Sequence, residues 1–311
     1  VPAPIRRLDH PNGRIWTFDP ERIADPNRKS APWVWDLIAS VQSIADAKRI
    51  ADCWRYASGQ PQTGGDDFFP GTAAQQLADY LFAAHLGGRS VSDVFRWCSN
   101  ERDTSPADIL SEYPRYAGIA SRVSSVIALT PETRSGVFGS LQTMVAFLAD
   151  PEIIDWIDPH RDTEGNIDER RGLFDPYEFA TSEDTLYLLS AQGRPSTALT
   201  ASLTAVVAFT AFQRAQSEFA DNNRRLPVPL CCVLDEAANI CRWPELADVY
   251  SYFGSAGIPI MTIWQNPDQG KAAFGETNFG SLFNNANITV YLGGIKDAKF
   301  LGEISQLVGQ R

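Results

Sequence analysis

The 311-residue sequence predicts an α/β fold in which a parallel sheet is interrupted by a long all-helical insertion. Two observations lead to this prediction. After residue 185, short apolar runs alternate with helical patterns, which is typical of parallel strands covered by helices on both faces. Between residues 35 and 151, apolar residues recur at spacings of three and four, and no clear strand pattern interrupts them.

The first predicted strand is short and lies near the start of the chain. Residues 14–18 alternate in polarity and are rich in β-prone side chains, and Asp19-Pro20 ends the strand with a turn. Further turns that contain proline keep the following residues irregular. We therefore expect residues 1–33 to form the first part of the sheet domain.

The predicted insertion, residues 34–172, carries clear helix-start signals. Ser90 to Asp93 and Thr130-Pro131 each place a capping residue, or a capping residue followed by proline, before an apolar helical face. A loop rich in Gly and Asp lies between the first two helical patterns and carries Phe68-Phe69, which could form a docking patch or pack beneath the domain. This stretch is therefore expected to be an all-α domain.

The third stretch, residues 173–311, alternates strands with helices. The predicted strands cover residues 185–189, 230–234, 258–264 and 287–292, and the predicted helices cover residues 197–220, 243–254, 268–274 and 297–308. Because right-handed crossovers bring the carboxyl ends of parallel strands to one edge of a sheet, four strand ends are expected to meet there. The residues at these ends are Asp19, Ser190, Asp235-Glu236 and Gln265.

Charge and cysteine content exclude several classes of protein. The formal net charge of −11 argues against a surface coated with basic residues for binding phosphate, although a local basic channel in an assembly stays possible. The five cysteines form no CxxC pair, and the three histidines are widely separated. We expect reduced, mostly buried cysteines and no zinc site.

The strand predicted over residues 230–234 ends in residues with the chemistry of a nucleotide-hydrolysing site. The run Leu230 to Leu234 ends in two acids, Asp235 and Glu236. The first carboxylate after a strand can hold Mg²⁺, often through water, and the next can orient and deprotonate an attacking water. Gln265, at the end of the neighbouring strand, could sense a γ-phosphate. The alternative is that the acids only cap the following helix.

Four stretches of the sequence together resemble the type IV secretion coupling proteins, the ATPases of conjugative DNA transfer. The first is GRIWTFDP at residues 13–20, and the second is SEDTLYL at residues 182–188. The third comprises LCCVLDEAANI at residues 230–240 and WPEL at residues 243–246. The fourth comprises GI at residues 257–258, WQN at residues 264–266 and NNANITVYLGG at residues 284–294. Each is weak alone, but their order is specific, and they extend over most of the chain.

The resemblance implies a RecA-like, P-loop-type nucleotide-binding domain with an inserted all-α domain. It also implies ATP and Mg²⁺ as cofactors, a homo-hexamer in the intact protein, and a location at the cytoplasmic face of the bacterial inner membrane. This fragment is expected to be soluble and able to exist as a monomer. The function it implies is to recruit a DNA–relaxase complex or a secreted protein and drive it into the type IV secretion channel. The all-α domain would read the substrate, and other secretion components would be partners.

The resemblance also assigns roles to individual residues. Asp235 would hold the metal, Glu236 would be the catalytic base, and Gln265 would sense the γ-phosphate. The sequence departs from the family in two ways. It contains no G-x-x-x-x-G-K-[ST], so we expect the phosphate loop to lie upstream of residue 1; and no Lys or Arg falls between Glu245 and Gln265, where relatives often place an arginine that acts on a neighbouring subunit. Arg194 is the candidate substitute.

These departures define the expected activity and the alternatives. ATPase activity belongs to the intact protein, and this chain alone is expected to bind ATP weakly and hydrolyse it negligibly, because nothing neutralises the β- and γ-phosphates. One alternative is a non-catalytic adaptor module that recruits substrates. The other is a DNA-pumping translocase of another motor family, which the large helical insertion disfavours.

Overall fold

All strands in the described part of the chain form parallel pairs. The computed structural model describes residues 13–59, 68–159, 171–191, 196–294 and 298–309. Its strands are β1 (Ile15–Phe18), β2 (Trp33–Trp35), β3 (Gly172–Phe174), β4 (Thr185–Leu188), β5 (Cys232–Leu234) and β6 (Ile260–Thr262). The pairs are β1 with β4, β2 with β3, and β5 with β6, each parallel. The α/β class is therefore confirmed, whereas one continuous sheet was predicted and the described residues form three separate two-stranded ladders.

Helices account for most of the remaining described chain. Between β2 and β3 lie α1 (Ile44–Ala57), α2 (Phe68–Leu86), α3 (Val91–Ser99), α4 (Ser105–Ser111), α5 (Ala117–Ile127), α6 (Pro131–Val145) and α7 (Pro151–Ile157). After β3 come α8 (Pro176–Phe179), α9 (Thr197–Glu218), α10 (Ala237–Ile240), α11 (Leu246–Val249), α12 (Pro267–Phe274), α13 (Glu276–Asn285) and α14 (Ala298–Val308). Short 3₁₀ turns cover Pro114–Tyr116, Ala146–Ala149 and Ala220–Asn222.

The two ends of the helical segment lie side by side. β1 and β4 pair on one side of the segment, and β2 and β3 pair immediately inside it. Five aromatic rings pack where these strands meet α7, with centroid separations between 5.0 and 5.9 Å; they belong to Trp16, Phe18, Trp33, Trp156 and Phe174. Burying large aromatic rings against each other is a strong source of stability. The chain therefore enters and leaves the helical segment at one well-packed point.

Local sequence explains where several helices begin. At the predicted start of α3, Ser90 and Asp93 form a capping box, in which each side chain accepts from the backbone N–H of the other residue. Pro131 stands at the first position of α6, where the missing N–H has no partner to lose. Thr130 precedes it, but its hydroxyl lies 3.0 Å from that of Thr133 and makes no hydrogen bond to the backbone of the first turn.

The long helix α9 joins the helical segment to the strands. Its first half is buried on all sides and consists largely of Ala, Ser, Thr and Val, which lets neighbouring elements approach closely. Trp54 of α1 donates a buried hydrogen bond from Nε1 to Ser202 Oγ of α9 at 3.0 Å. The core of the helical segment is therefore continuous with the core around the strands.

Three local predictions differ from the structure. Residues 34–43 continue β2 into turns, and the first helix begins only at Ile44. The helix predicted over residues 243–254 is reduced to α11 followed by turns. Residues 287–292 form no strand: Ile288 and Leu292 are 82% and 90% exposed, and no described strand lies alongside to pair with them. An extended segment without a hydrogen-bonded neighbour is not stable as a strand.

Hydrophobic length also bears on membrane insertion. Within the described residues, no single helix is long and apolar enough to cross a membrane. The stretch Pro131–Ala149 together with α7 reaches the required length and composition only as a pair bent by 85°.

Candidate functional site

The β5–β6 ladder brings the predicted acid pair, Asp235-Glu236, and the predicted sensor, Gln265, to the same end of the two strands. Leu234 lies opposite Thr262 at the end of the register. Beyond it, Ile263 N–H donates to the Leu234 carbonyl at 3.0 Å, and Ala237 N–H donates to the Ile263 carbonyl at 3.3 Å. The two chains therefore stay in contact past their last ladder residues, where Asp235-Glu236 and Gln265 follow.

Glu236 lies in a backbone conformation that non-glycine residues rarely adopt. Its φ of 49° and ψ of 47° are left-handed helical, and it immediately precedes α10. Its carbonyl accepts hydrogen bonds from the N–H groups of Asn239 at 2.8 Å and Ile240 at 3.1 Å. Such a conformation costs of order 1 kcal/mol or more and persists where surrounding contacts impose it, often at functional sites. The turn fixes the position of the Glu236 carboxylate relative to β6.

The Glu236 carboxylate is held by side-chain amides. Gln265 Nε2 donates to Glu236 Oε1 at 2.5 Å, and Asn239 Nδ2 lies 3.5 Å from Glu236 Oε2. Gln269 Nε2 in turn donates to Gln265 Oε1 at 3.3 Å. Asp235 is exposed and, within the described residues, makes no side-chain hydrogen bond or ion pair. The structure thus gathers Glu236 and Gln265 into direct contact and leaves Asp235 open to solvent beside them.

Aromatic packing fixes the residue that precedes Gln265. The Trp264 ring packs edge-to-face against Phe274 of α12 at 5.7 Å and against Phe279 of α13 at 5.3 Å. Its indole N–H donates to Thr262 Oγ1 at 2.9 Å. The α12–α13 hairpin therefore supports the end of β6 from behind, and Gln265 extends from a rigid base.

The donor set at this edge fits one part of a magnesium–nucleotide site. A carboxylate and amide oxygens are hard ligands, which suit Mg²⁺ bound through a single carboxylate and several waters. No cluster of three or more His, Cys, Asp or Glu side chains able to hold a metal occurs among the described residues. In the same part of the chain, no Lys or Arg forms an ion pair with Asp235 or Glu236. Arg194, the predicted substitute, lies outside the described residues.

A cleft of about 280 Å³ lies between the helical segment and the helices α9 and α10. Asn239 and Arg242 line it from the side of α10, and Trp54, Thr143 and Phe147 line it from the helical segment. Arg242 Nε donates to the Ala238 carbonyl at 3.3 Å, which holds the arginine against the end of α10. The turn that carries Glu236 therefore borders both the strand edge and the helical segment.

The cysteines are free thiols, as the sequence predicts. Cys53, Cys98 and Cys241 are buried, whereas Cys231 is exposed. Burial is the main cause that raises the pKa of the Cys232 and Cys241 thiols to about 12. A thiol with a raised pKa is a poor nucleophile and a poor metal ligand at neutral pH. The buried cysteines therefore serve packing.

Sequence reasoning missed two residues of this site, Asn239 and Gln269. Both follow a predicted site residue at helical spacing: Asn239 is three residues after Glu236, and Gln269 is four residues after Gln265. Side chains at these spacings lie on the same face of a helix. The signal was therefore present once the strand ends were known to run directly into helices.

Comparisons with known proteins give one family match and a set of structural relatives. A family model, TraG-D_C, described as the TraM recognition site of TraD and TraG, matches residues 229–311. No curated protein sequence matches the chain. The solved structures that it resembles include the unbound monoclinic form of the bacterial conjugative coupling protein TrwBdeltaN70 (TM-score 0.54, 13% identity, 90% of this chain and 63% of that one). They also include its trigonal form with sulphate (0.56, 15%, 90% and 64%) and the plasmid coupling protein TrwB with ADP and Mg²⁺ (0.54, 14%, 90% and 65%).

The chain therefore spans a little under two thirds of the length of these coupling proteins. At 13–15% identity the structural likeness establishes the fold, and the sequence match covers the part of the chain that carries Asp235, Glu236 and Gln265. Together they confirm the resemblance predicted from the sequence: residues 229–311 match the TraG-D_C family, and the chain has the fold of a conjugative type IV coupling protein.

Proposed function

We propose that this chain is the part of a conjugative coupling ATPase that carries the water-activating half of the nucleotide site and the helical domain that reads the substrate. The single observation that carries the proposal is the contact between Glu236 and Gln265 at the ends of two paired parallel strands, at 2.5 Å. A carboxylate and an amide at adjacent strand ends are suited to activating a water and sensing a phosphate.

The proposed roles follow from the chemistry of each side chain. Glu236 accepts a proton from an attacking water, and its left-handed turn keeps the carboxylate at the strand edge. Gln265 exchanges its hydrogen bond with Glu236 for one with a phosphate oxygen. Asp235, which is open to solvent, would hold Mg²⁺ through water, and the metal would neutralise phosphate charge. Arg194 stays a predicted nucleotide contact.

We propose the same domain division as the sequence analysis: a RecA-like domain made of residues 1–33 and 173–311, with an all-α domain over 34–172. Support comes from the β1–β4 and β2–β3 pairs, which bring the two ends of the helical segment together. β2 (Trp33–Trp35) crosses the proposed boundary at residue 33, so the boundary lies within a short strand and not in a loop.

The proposed partners follow from the family match and from the charge of the chain. Residues 229–311 match a family described as a TraM recognition site, and this favours binding of a protein of the TraM type that belongs to the DNA-transfer machinery. We also propose, as the sequence analysis does, a hexamer of the intact protein at the cytoplasmic face of the inner membrane, with DNA–relaxase complexes or secreted proteins as cargo. The net charge of −11 favours recognition of DNA through bound proteins over direct contact with this chain.

The decisive experiment substitutes Glu236 in the intact coupling protein. Glu236→Gln removes the proton acceptor and keeps the shape of the side chain, so ATP hydrolysis is expected to fall by about 100-fold or more. The apparent affinity for ATP should change by less than about threefold, because the substitution removes no phosphate contact. Hydrolysis is measured by phosphate release, binding by a fluorescent ATP analogue, and function by DNA transfer between cells.

The matched control is Glu276→Gln, which makes the same chemical change at an exposed residue in the first turn of α13. It should leave hydrolysis and transfer unchanged. If Glu236→Gln retains hydrolysis, the catalytic role is wrong. If it retains DNA transfer as well, the chain acts as an adaptor that recruits substrate without using this site.

A further inference from the structure

We propose that Gln269 is a positioning residue that sets the orientation of the Gln265 amide, and through it the contact between Gln265 and Glu236. This inference rests on the proposed function, because it concerns how the proposed sensor is held. It starts from three side chains connected in series: Gln269 donates to Gln265 at 3.3 Å, and Gln265 donates to Glu236 at 2.5 Å.

The direction of this series follows from the chemistry of its ends. An ionised carboxylate only accepts hydrogen bonds, so Gln265 must turn its Nε2 towards Glu236. The Gln265 Oε1 then lies on the opposite side and accepts from a donor, which Gln269 Nε2 provides. A side-chain amide has one donor end and one acceptor end, and Gln269 therefore occupies the end that Glu236 cannot use.

Gln269 is itself held in place by the start of α12. Asn266 caps this helix and accepts from the Gln269 backbone N–H at 2.9 Å. The next residue, Gly270, lies so close to Phe279 that a Cβ atom there would stand 2.0 Å from the ring. The first turn of α12 is thus pressed against the Phe279 ring of α13, which also packs against Trp264. Gln269 therefore provides a well-positioned donor for the Gln265 side chain, which is exposed.

The effect of this contact is of a definite size. A hydrogen bond between neutral side chains contributes modestly to stability, equivalent to about a two- to tenfold shift between orientations of Gln265. A role that is only structural would change the stability of α12 without changing where Gln265 Nε2 points. A positioning role changes the orientation of Gln265 in a chain of unchanged stability.

The test reads the orientation directly, on the purified chain without nucleotide. Glutamine side-chain amides are labelled with ¹⁵N, and the Gln265 signal is identified by its loss in Gln265→Ala. In the native chain, the amide proton that donates to Glu236 should resonate downfield of a solvent-exposed amide, and Glu236→Ala, which removes the acceptor, should abolish this shift. Gln269→Glu, which is isosteric but offers only acceptors, should make the Gln265 signal insensitive to Glu236→Ala, because Gln265 turns its Nε2 towards the new carboxylate.

Two variants complete the experiment. Gln269→Lys keeps a donor at this position and should retain the shift, whereas Gln213→Glu makes the control substitution on the exposed side of α9 and should leave the signal unchanged. In the intact protein, Gln269→Glu should lower kcat about two- to tenfold with KM changed by less than about twofold.

The inference is overturned if the Gln265 signal in Gln269→Glu still depends on Glu236, or if the native chain shows no downfield shift. A different result identifies failure of the proposed function. If the amide signals behave as expected but Glu236→Gln leaves ATP hydrolysis intact, the series of contacts exists and the catalytic role does not.

Discussion

At the scale of single residues, close packing around Gly270 determines where the end of β6 lies. Phe279 is buried, and its ring fills the space that a side chain at position 270 would need; a Cβ atom there would stand 2.0 Å from Cε2. The same ring packs against Trp264 at 5.3 Å. Glycine is therefore required here by the approach of a neighbouring ring, while its backbone conformation is ordinary for a helix.

We predict that Gly270→Ala destabilises the chain. Forcing an extra methyl group into this contact costs about 1–3 kcal/mol, which exceeds the gain of about 0.5–1 kcal/mol from replacing glycine within a helix. The free energy of unfolding, measured by urea titration, should fall. The control is Gly280→Ala in α13, where a Cβ atom meets nothing within 4 Å, and this variant should be neutral or more stable. Equal stability of the two variants would contradict the packing argument.

At the scale of elements, an ion pair joins two helices of the all-α segment. Asp79 of α2 accepts from Arg122 of α5 through two hydrogen bonds, at 2.8 Å from Nε and 2.6 Å from Nη2. The Asp79 side chain is 1% exposed and that of Arg122 is 43% exposed. Burial raises the pKa of Asp79 more than the contacts with Arg122 and Gln75 lower it, whereas the hydrogen bond to Asp79 raises the pKa of Arg122. The two pKa shifts are compatible, because burial penalises the charge of the deeply desolvated Asp79 carboxylate, whereas the partly exposed Arg122 mainly gains from the hydrogen bond.

We predict that removing Arg122 alone lowers the free energy of unfolding more than removing the charges of both Arg122 and Asp79. Arg122→Ala leaves a buried carboxylate unpaired and should lower the free energy of unfolding at neutral pH by about 2–3 kcal/mol, less than for a fully buried pair because Arg122 is partly exposed. Asp79→Asn in the same chain should restore most of this loss. Arg96→Ala, which breaks an exposed pair with Asp93, is the control and should cost less than about 1 kcal/mol.

The loss in Arg122→Ala should depend on pH in a fixed direction. With a pKa raised in the folded state, Asp79 binds its proton more readily in the folded chain than in the unfolded chain, so stability falls as pH rises between the unfolded and folded pKa values. The destabilisation should therefore shrink as the pH falls towards 3.8, the ordinary value. A loss that grows on acidification would show that Asp79 is not the group responsible.

Elements with a strong local signal were predictable, and those defined by distant contacts were not. The helix start at Ser90 and the strand from Ile15 to Phe18 follow from neighbouring residues and were predicted closely. β2 and β3 have three residues each and exist because they pair across the helical segment, a contact that no local pattern contains. Residues 287–292 have a strand pattern but no described partner strand, and the pattern alone does not produce a strand.

At the scale of the whole molecule, Arg49 ties the helical segment to the strand region. This residue of α1 is 8% exposed, and it pairs with Asp46 of its own helix at 2.8 Å and with Glu245, beyond α10, at 2.9 Å. Its guanidinium group lies 3.5 Å from the ring centroid of Phe209 of α9. Together with the Trp54–Ser202 hydrogen bond, this contact fixes the helical segment against the elements that follow the acid pair. The helical segment is therefore held directly against α9 and against the residues that follow α10.

The candidate site was partly predictable from the order of the strands along the chain. Parallel strands that end at a common edge were enough to predict that Glu236 and Gln265 lie close together. The left-handed turn at Glu236 and the support from Gln269 depend on how α10 and α12 continue from the strands, and helix starts this short give weak sequence signals. The roles of Asp235, Glu236, Gln265 and Arg194 stay predictions.

The measurement that tests the central claim most directly is a double-mutant cycle on kcat for ATP hydrolysis by the intact coupling protein. Glu236→Gln should lower kcat by about 100-fold or more, and Gln265→Ala by about tenfold. If the two side chains act as one unit at the strand edge, the double variant should be no slower than Glu236→Gln alone. Reductions that multiply in the double variant, or a kcat that neither substitution changes, would contradict the claim that this carboxylate–amide pair is the water-activating half of the site.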